Sequence, residues 1–78
     1  MTRKCYWDWE SSRGNDGTIS CRGTNKHCVI EFARLFYSLN KDKFIRCDKL
    51  SKLIHDEWCF MLYFDSQQLQ IPPFIPVS

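Results

Sequence analysis

The 78-residue sequence has no apolar run longer than seven residues, the length of the segment from Trp58 to Phe64. A membrane-spanning helix needs about 20 consecutive apolar residues, so this segment is too short to cross a bilayer. The N-terminus carries basic residues but no apolar stretch that could act as a signal peptide. The sequence also has no Asn-x-Ser/Thr site for N-glycosylation. These absences predict one small soluble domain over residues 1–78, located in the cytoplasm and without a membrane partner.

Closely spaced cysteine pairs of the kind that hold structural zinc are also missing. The five cysteines are widely separated, at Cys5, Cys21, Cys28, Cys47 and Cys59. The nearest approach to a half-site is His55 with Cys59, which would lie one helical turn apart on a helix and could join Cys21 and Cys28. The interpretation we favour is that the cysteines are reduced and pack as small buried apolar residues. We therefore predict no metal and no other cofactor.

Signatures of catalysis are equally sparse. Cys28 follows His27, but neighbours in sequence do not place an imidazole within hydrogen-bonding distance of a thiol, and no orienting group accompanies them. Gly14 and Gly17 lack the strand, glycine-rich loop and helix that cradle a phosphate. The sequence thus predicts a protein that is not an enzyme.

Basic residues are absent after Lys52, which makes the charge distribution uneven. Residues 1–52 contain eleven basic and six acidic residues, whereas residues 53–78 contain three acidic residues and no basic ones. Four bases recur every third residue, at Lys43, Arg46, Lys49 and Lys52. On a helix they would form a basic stripe able to contact phosphates, with Phe44 as a stacking surface. The alternative is the solvated outer face of an amphipathic helix, because Asp42 and Asp48 interrupt the stripe.

The N-terminal third has the pattern of a β-hairpin. Residues 4–10 and 18–22 alternate apolar and polar side chains, and residues 11–17 contain the glycines of a turn. Pairing Trp9 with Ile19, and Trp7 with Cys21, keeps the apolar side chains on one face of the sheet.

Two helices are predicted next. Apolar residues recur at helical spacing from Lys26 to Leu39, with Thr24 or Asn25 as the N-cap and Asn40 as the end. Residues 44–47 suit either a short strand or the start of a helix. After Asp48, a second helical face is formed by Leu50, Leu53, Ile54, Glu57 and Trp58.

Residues 58–64 could continue that helix, but their aromatic content and length favour a buried strand. Residues 71–77 contain three prolines, which predict an extended tail that lies along the body of the domain. The predicted fold class is α+β: an N-terminal β-hairpin packed on two helices, with a short apolar C-terminal strand and an extended Pro-rich tail.

Aromatic residues are abundant for a chain of this length, and a domain this small cannot bury all twelve. Exposed aromatics beside arginine are common anchors of protein interfaces, and Tyr6, Tyr37, Tyr63 or Phe74 could serve here. The build, with many aromatics, a single alanine (Ala33) and no catalytic motif, resembles that of the small inhibitors that phages and mobile elements encode against host defences, anti-CRISPR proteins among them. Many inhibitors of that kind imitate nucleic acid with a strongly acidic surface, whereas the net charge of +2 here favours binding to a protein surface, which could be an acidic one.

The predicted function is therefore that of a non-enzymatic inhibitor or modulator that docks on a larger protein or nucleoprotein complex. A nucleic-acid-binding regulator and a subunit or homodimer module are the alternatives. The candidate partner-binding residues are Tyr6, Lys43, Phe44, Arg46, Lys49 and Lys52.

Overall fold

One antiparallel sheet and one helix make up the fold in the computed structural model, which describes residues 4–10, 14 and 16–76. The elements are β1 (Tyr6–Trp9), β2 (Gly17–Gly23), α1 (Lys26–Leu39), a 3₁₀ turn (Lys41–Lys43), β3 (Phe44–Cys47), β4 (Ser51–Lys52) and β5 (Trp58–Phe64). The strand order is β1-β2-β5-β3. Strands β3 and β4 pair with the same edge of β5, β3 with residues 62–64 and β4 with residues 58–59. Helix α1 packs across β2 and β5 on one face of this sheet. The prediction of a mixed α and β domain is confirmed.

The N-terminal hairpin has the predicted register. Trp7 lies opposite Cys21 and Trp9 opposite Ile19, so the apolar side chains share the face that α1 covers. The predicted turn falls mostly on residues 11–13 and 15, which lie outside the described part of the chain. Strand β2 is paired on both edges, which explains why nearly all of its residues are buried.

Helix α1 has the predicted ends. The Asn25 side chain accepts a hydrogen bond from the Cys28 backbone N–H at 3.0 Å, and so satisfies one of the free donors of the first turn. Asn40 follows the last helical residue, and its backbone N–H donates to the Tyr37 carbonyl. The buried face contains Val29, Phe32, Ala33 and Phe36, which form the centre of the core.

The predicted second helix is wrong. Ser51 and Lys52 pair with β5 as strand β4, and the Leu53 N–H donates to the Glu57 carbonyl across a tight turn. Ile54, which completed the helical pattern, is 95% exposed at this turn. The physical reason is that β2 occupies only one edge of β5. Residues 44–52 satisfy the backbone groups of the other edge, and this need outweighs a weak local pattern. Strand β5, predicted as a buried strand, is the second central strand.

The prediction that all the cysteines are reduced is wrong for one pair, because Cys5 and Cys28 are joined in a disulfide. The hairpin returns the chain so that Lys4 and Cys5 lie against Gly23, and a Cβ atom on Gly23 would collide with the Lys4 carbonyl. This close approach brings Cys5 to the first turn of α1, with the two Cα atoms 6.0 Å apart. Disulfides persist mainly in oxidising compartments, so the cytoplasmic location remains a prediction.

The C-terminal tail lies along the body of the domain, as predicted. The Asn40 side chain bonds the backbone of Gln70 at one end of α1, and the Pro76 carbonyl oxygen lies 2.8 Å from the Cys28 sulfur at the other. The tail therefore runs antiparallel to α1, and its end at Pro76 lies beside the disulfide that joins α1 to Cys5, next to β1. Within the described residues, no helix combines the length and the apolar content needed to cross a bilayer.

Candidate functional site

An open apolar groove lies on the other flank of α1, between the helix and strand β3. Its volume is about 460 Å³. The eight residues that line it are Ile30, Ala33, Arg34 and Tyr37 of α1, Phe44 and Cys47 of β3, and Phe60 and Leu62 of β5. Only Arg34 and Tyr37 bring strongly polar groups, so the groove suits an apolar side chain better than a polar molecule that needs several hydrogen-bonding partners.

Aromatic packing fixes the shape of this groove. The Tyr37 ring meets the Phe44 ring edge to face, with centroids 4.9 Å apart. Phe44 in turn packs edge to face on buried Phe64, at 5.8 Å. Such aromatic pairs add stability beyond the area that they bury. The wall formed by Tyr37 and Phe44 is therefore anchored in the core, although Tyr37 itself stays 40% exposed.

Strand β3 forms an outer edge of the sheet beside the groove. The Asp48 N–H donates to the Met61 carbonyl across the Cys47–Leu62 pair. In an antiparallel ladder this bond marks Cys47 and Leu62 as a non-hydrogen-bonded pair, so the N–H and C=O of Cys47 point away from β5. The register shifts between Phe44 and Arg46, which makes Ile45 the extra residue of a bulge, and its side chain is 53% exposed.

The four predicted basic residues do not form one stripe, because they lie on strands and loops rather than on a helix. Arg46 pairs with Tyr63, whereas Lys52 pairs with Trp58. Tyr63 and Trp58 are five positions apart on one strand, so Arg46 and Lys52 lie on opposite faces of the sheet. Lys43 donates to the Gln68 carbonyl at 2.7 Å.

Lys49 is exposed in the loop after β3, with no hydrogen bond or ion pair to another described residue. Whether any of these four bases contacts a partner stays a prediction.

Arg46 contacts two neighbouring side chains, Tyr63 and Asp48. Its guanidinium lies 3.8 Å from the centroid of the Tyr63 ring and donates to Asp48 at 2.7 Å. The Tyr63 hydroxyl donates to the other Asp48 oxygen, also at 2.7 Å. The hydrogen bond from Tyr63, with the bond and charge of Arg46, lowers the pKa of Asp48, and the same Tyr63–Asp48 bond raises the pKa of Tyr63. This cluster neutralises the charge of Arg46 and leaves it less available for a phosphate.

Two further predicted binding residues lie far apart. Tyr6 is half-buried on the sheet face away from α1, where its hydroxyl donates to Glu57 at 2.8 Å. On the same face Arg22 forms an ion pair with Glu10 at 2.7 Å. Phe44, by contrast, lines the groove, and it is the one residue of the six that the structure places there.

The free thiols give no support to a cysteine nucleophile. Burial, with a smaller contribution from Cys59, raises the pKa of the Cys21 thiol to about 12. Burial also raises the pKa of Cys59. Both thiols are therefore protonated at neutral pH, and a thiol reacts as its thiolate. The third free cysteine, Cys47, is exposed at the groove.

A zinc site built on His55, Cys59, Cys21 and Cys28 is not assembled. Cys28 is consumed in the disulfide, and His55 lies in a turn rather than one helical turn before Cys59. Across the part of the chain that the structure describes, no three His, Cys, Asp or Glu side chains come close enough to share a metal ion.

Sequence reasoning identified Tyr37 as an exposed aromatic but missed most of the groove. Of the four aromatics proposed for the surface, Tyr37 and Phe74 are exposed, whereas Tyr6 and Tyr63 are half-buried. Ile30 and Ala33 looked like ordinary core residues of α1. The available signal was the width of the apolar stripe on α1, since Ile30 and Tyr37 extend it on the side that the sheet does not fully cover.

Comparisons with known proteins identify no relative: no protein-family model, no curated protein and no solved structure matches this chain. The features of the molecule that bear on its function are therefore the groove and the β3 edge.

Proposed function

We propose that the protein is a non-enzymatic binding module that docks on a larger protein through the groove between α1 and β3, and so inhibits or modulates that protein. The observation that carries the proposal is the position of an open apolar groove directly beside a strand edge with which no other described strand pairs. Interfaces depend on a few anchors in well-packed pockets, and a groove of this size can receive such an anchor from a partner.

The two flanks of α1 support this choice of surface. The tail is hydrogen-bonded to Asn40 at one end of α1, and at the other end it passes the Cys5–Cys28 disulfide, beside β1. Tyr37 and Cys47 remain exposed on the opposite flank. An apolar surface that the chain leaves uncovered is a candidate interaction site when it is also concave.

Nucleic-acid binding is the weaker proposal. A phosphate-binding surface needs several free bases on one face. Here Arg46 is paired with Asp48, and Lys52 lies 3.7 Å from Asp56 on the opposite face of the sheet. The anti-defence role that the build implies remains a proposal about the identity of the protein partner.

The test is to fill the groove with a single side chain. Cys47→Phe places a ring in the groove from an exposed strand position, where aromatic residues are well tolerated. The matched control is Ser51→Phe, because Ser51 is exposed on the same sheet edge but pairs with Cys59 and so faces the other side.

Each variant is immobilised and exposed to nuclease-treated extract of the source organism, and the bound proteins are identified by mass spectrometry. We expect one protein to be retained by the wild type and by Ser51→Phe, and to be lost with Cys47→Phe. Equal retention by all three forms, or a partner lost only with Ser51→Phe, would contradict the proposal.

A further inference from the structure

The groove and the β3 edge together define what kind of partner fits, and this inference rests on the proposed function. We infer that the occupant is an extended segment of the partner protein that adds as a strand outside β3, with an apolar centre and acidic ends. Strand addition of this kind takes its affinity from backbone hydrogen bonds and its specificity from side-chain pockets.

The direction of the Cys47 backbone sets the register. Because its N–H and C=O point away from β5, a partner residue directly opposite would exchange two hydrogen bonds with Cys47. Residues that lie directly opposite each other point to the same face of a sheet. The side chain of that partner residue would therefore enter the groove, which Cys47 itself lines. One apolar residue at the centre of the segment meets both requirements.

The charge around β3 indicates which residues the partner segment carries at its two ends. Residues 41–52 contain five basic residues and two acidic ones. Lys41 precedes the strand and Lys49 follows it, and both are exposed, so positive charge lies beyond both of its ends. Arg34 adds a further base at the groove, where it forms an exposed ion pair with Glu31 at 3.3 Å. Acidic residues on both sides of the apolar centre would meet this charge.

A second copy of the chain is a poor occupant of the same edge. Two β3 strands brought side by side would also bring their flanking lysines together, and like charges on paired strands are destabilising. The bulge at Ile45 and the neighbouring lysines are features that keep an edge from pairing with itself. An acidic partner strand experiences attraction where a second copy experiences repulsion.

The test uses four blocked heptapeptides and fluorescence anisotropy at low salt. The first probe is Glu-Asp-Val-Leu-Val-Asp-Glu. The second replaces its four acids with lysine, the third carries an N-methyl group on the central leucine, and the fourth has the first composition in scrambled order. We expect the first probe to bind at least about tenfold more tightly than each of the others, since several exposed ion pairs and two backbone bonds each contribute a few-fold.

Chain variants locate the site. Cys47→Phe should abolish binding of the first probe, whereas Ser51→Phe should preserve it. The double charge reversal Lys41→Glu with Lys49→Glu should weaken the acidic probe and strengthen the lysine probe. Amide exchange at the Cys47 N–H should slow when the acidic probe is bound, because that N–H gains a partner.

Four results would overturn the inference. They are equal binding of the acidic and lysine probes, indifference to N-methylation, a light-scattering mass of a dimer that Cys47→Phe dissociates, and binding of single-stranded thymidine oligonucleotides that ignores Cys47→Phe. If no peptide binds while the captured partner is still lost with Cys47→Phe, the proposed function stands and the strand-addition inference alone is wrong.

Discussion

Replacing Asn40 with alanine should remove the clamp that joins the end of α1 to the tail. Asn40 is 1% exposed, and its side chain makes three hydrogen bonds. The amide nitrogen donates to the Phe36 carbonyl at 2.9 Å and to the Gln70 carbonyl at 3.0 Å, and the amide oxygen accepts from the Gln70 N–H at 2.7 Å. The substitution leaves all three backbone groups without these partners.

The expected loss of stability can be calculated from these three hydrogen bonds. A hydrogen bond between neutral groups contributes about 1 kcal/mol, so the loss of these three, one buried and two partly buried, should lower the free energy of unfolding by about 3 kcal/mol. For a domain of this size, each kcal/mol shifts the Tm by about 4–8 °C. We therefore expect the Tm of Asn40→Ala to fall by about 12–24 °C.

Urea unfolding followed by tryptophan fluorescence measures this change, provided that the m-value is unaltered. Gln70→Ala is the matched control, because the clamp uses only the backbone of Gln70 and that residue is exposed. The control should unfold within about 0.5 kcal/mol of the wild type. A loss below about 1 kcal/mol for Asn40→Ala, or an equal loss for Gln70→Ala, would refute the reasoning.

Three further predictions concern the disulfide, the hydrogen bond from Tyr63 to Asp48, and the free thiols. Cys5→Ser removes the disulfide to Cys28, which closes a loop between cysteines 23 positions apart. The free energy of unfolding in non-reducing buffer should therefore fall by about 3 kcal/mol. A denaturation curve that matches the wild type would contradict this. Tyr63→Phe removes the hydrogen bond that lowers the pKa of Asp48, so NMR titration should show that pKa rising. A lowered pKa stabilises the fold above the unfolded-state pKa, and the effect is lost as the pH falls through the folded-state pKa. The variant should therefore lose part of its stability near neutral pH and almost none once the pH is below the folded-state pKa of Asp48; the same Asp48 titration in both proteins would contradict the assignment. In the folded protein a maleimide should label Cys47 alone among the three free cysteines, as peptide mapping would show, and rapid labelling of the two buried thiols would disagree with their burial.

Elements with a strong local pattern could be predicted from the sequence. The alternation around Trp7 and Trp9 favours a register that places both rings on the face of the sheet that α1 covers, and the structure has that register. Asn25 and Asn40 stand at the two ends of a fourteen-residue segment with an apolar stripe, and this pattern is enough to define α1. Strand β5 was also predictable, because a short run of aromatic and apolar residues suits a strand that is paired on both edges.

The segment from residue 48 to residue 57 could not be predicted in the same way. Its helical pattern rests on few residues, one of which, Ile54, is almost fully exposed. What decides its structure is the open edge of β5, which lies several residues later in the chain and is visible only after the sheet is assembled. The predicted basic stripe was lost with the helix that would have carried it.

The groove could not be predicted from the sequence either. Its lining comes from α1, β3 and β5, and only tertiary packing brings the three elements together. Phe44 was identified for a different reason, as a stacking surface for bases, whereas the structure uses it as a groove wall packed on Tyr37. Predicting such a site requires the sheet order as well as the residues.

The most direct test of the account is hydrogen–deuterium exchange of the protein alone and bound to the partner captured by the wild type. Binding through the groove should slow exchange in β3 and in the segment of α1 that contains Ile30 and Tyr37, with little change in β1. Protection confined to the face that carries Tyr6, or to the tail, with β3 unaffected, would contradict the claim that the protein binds its partner through the groove.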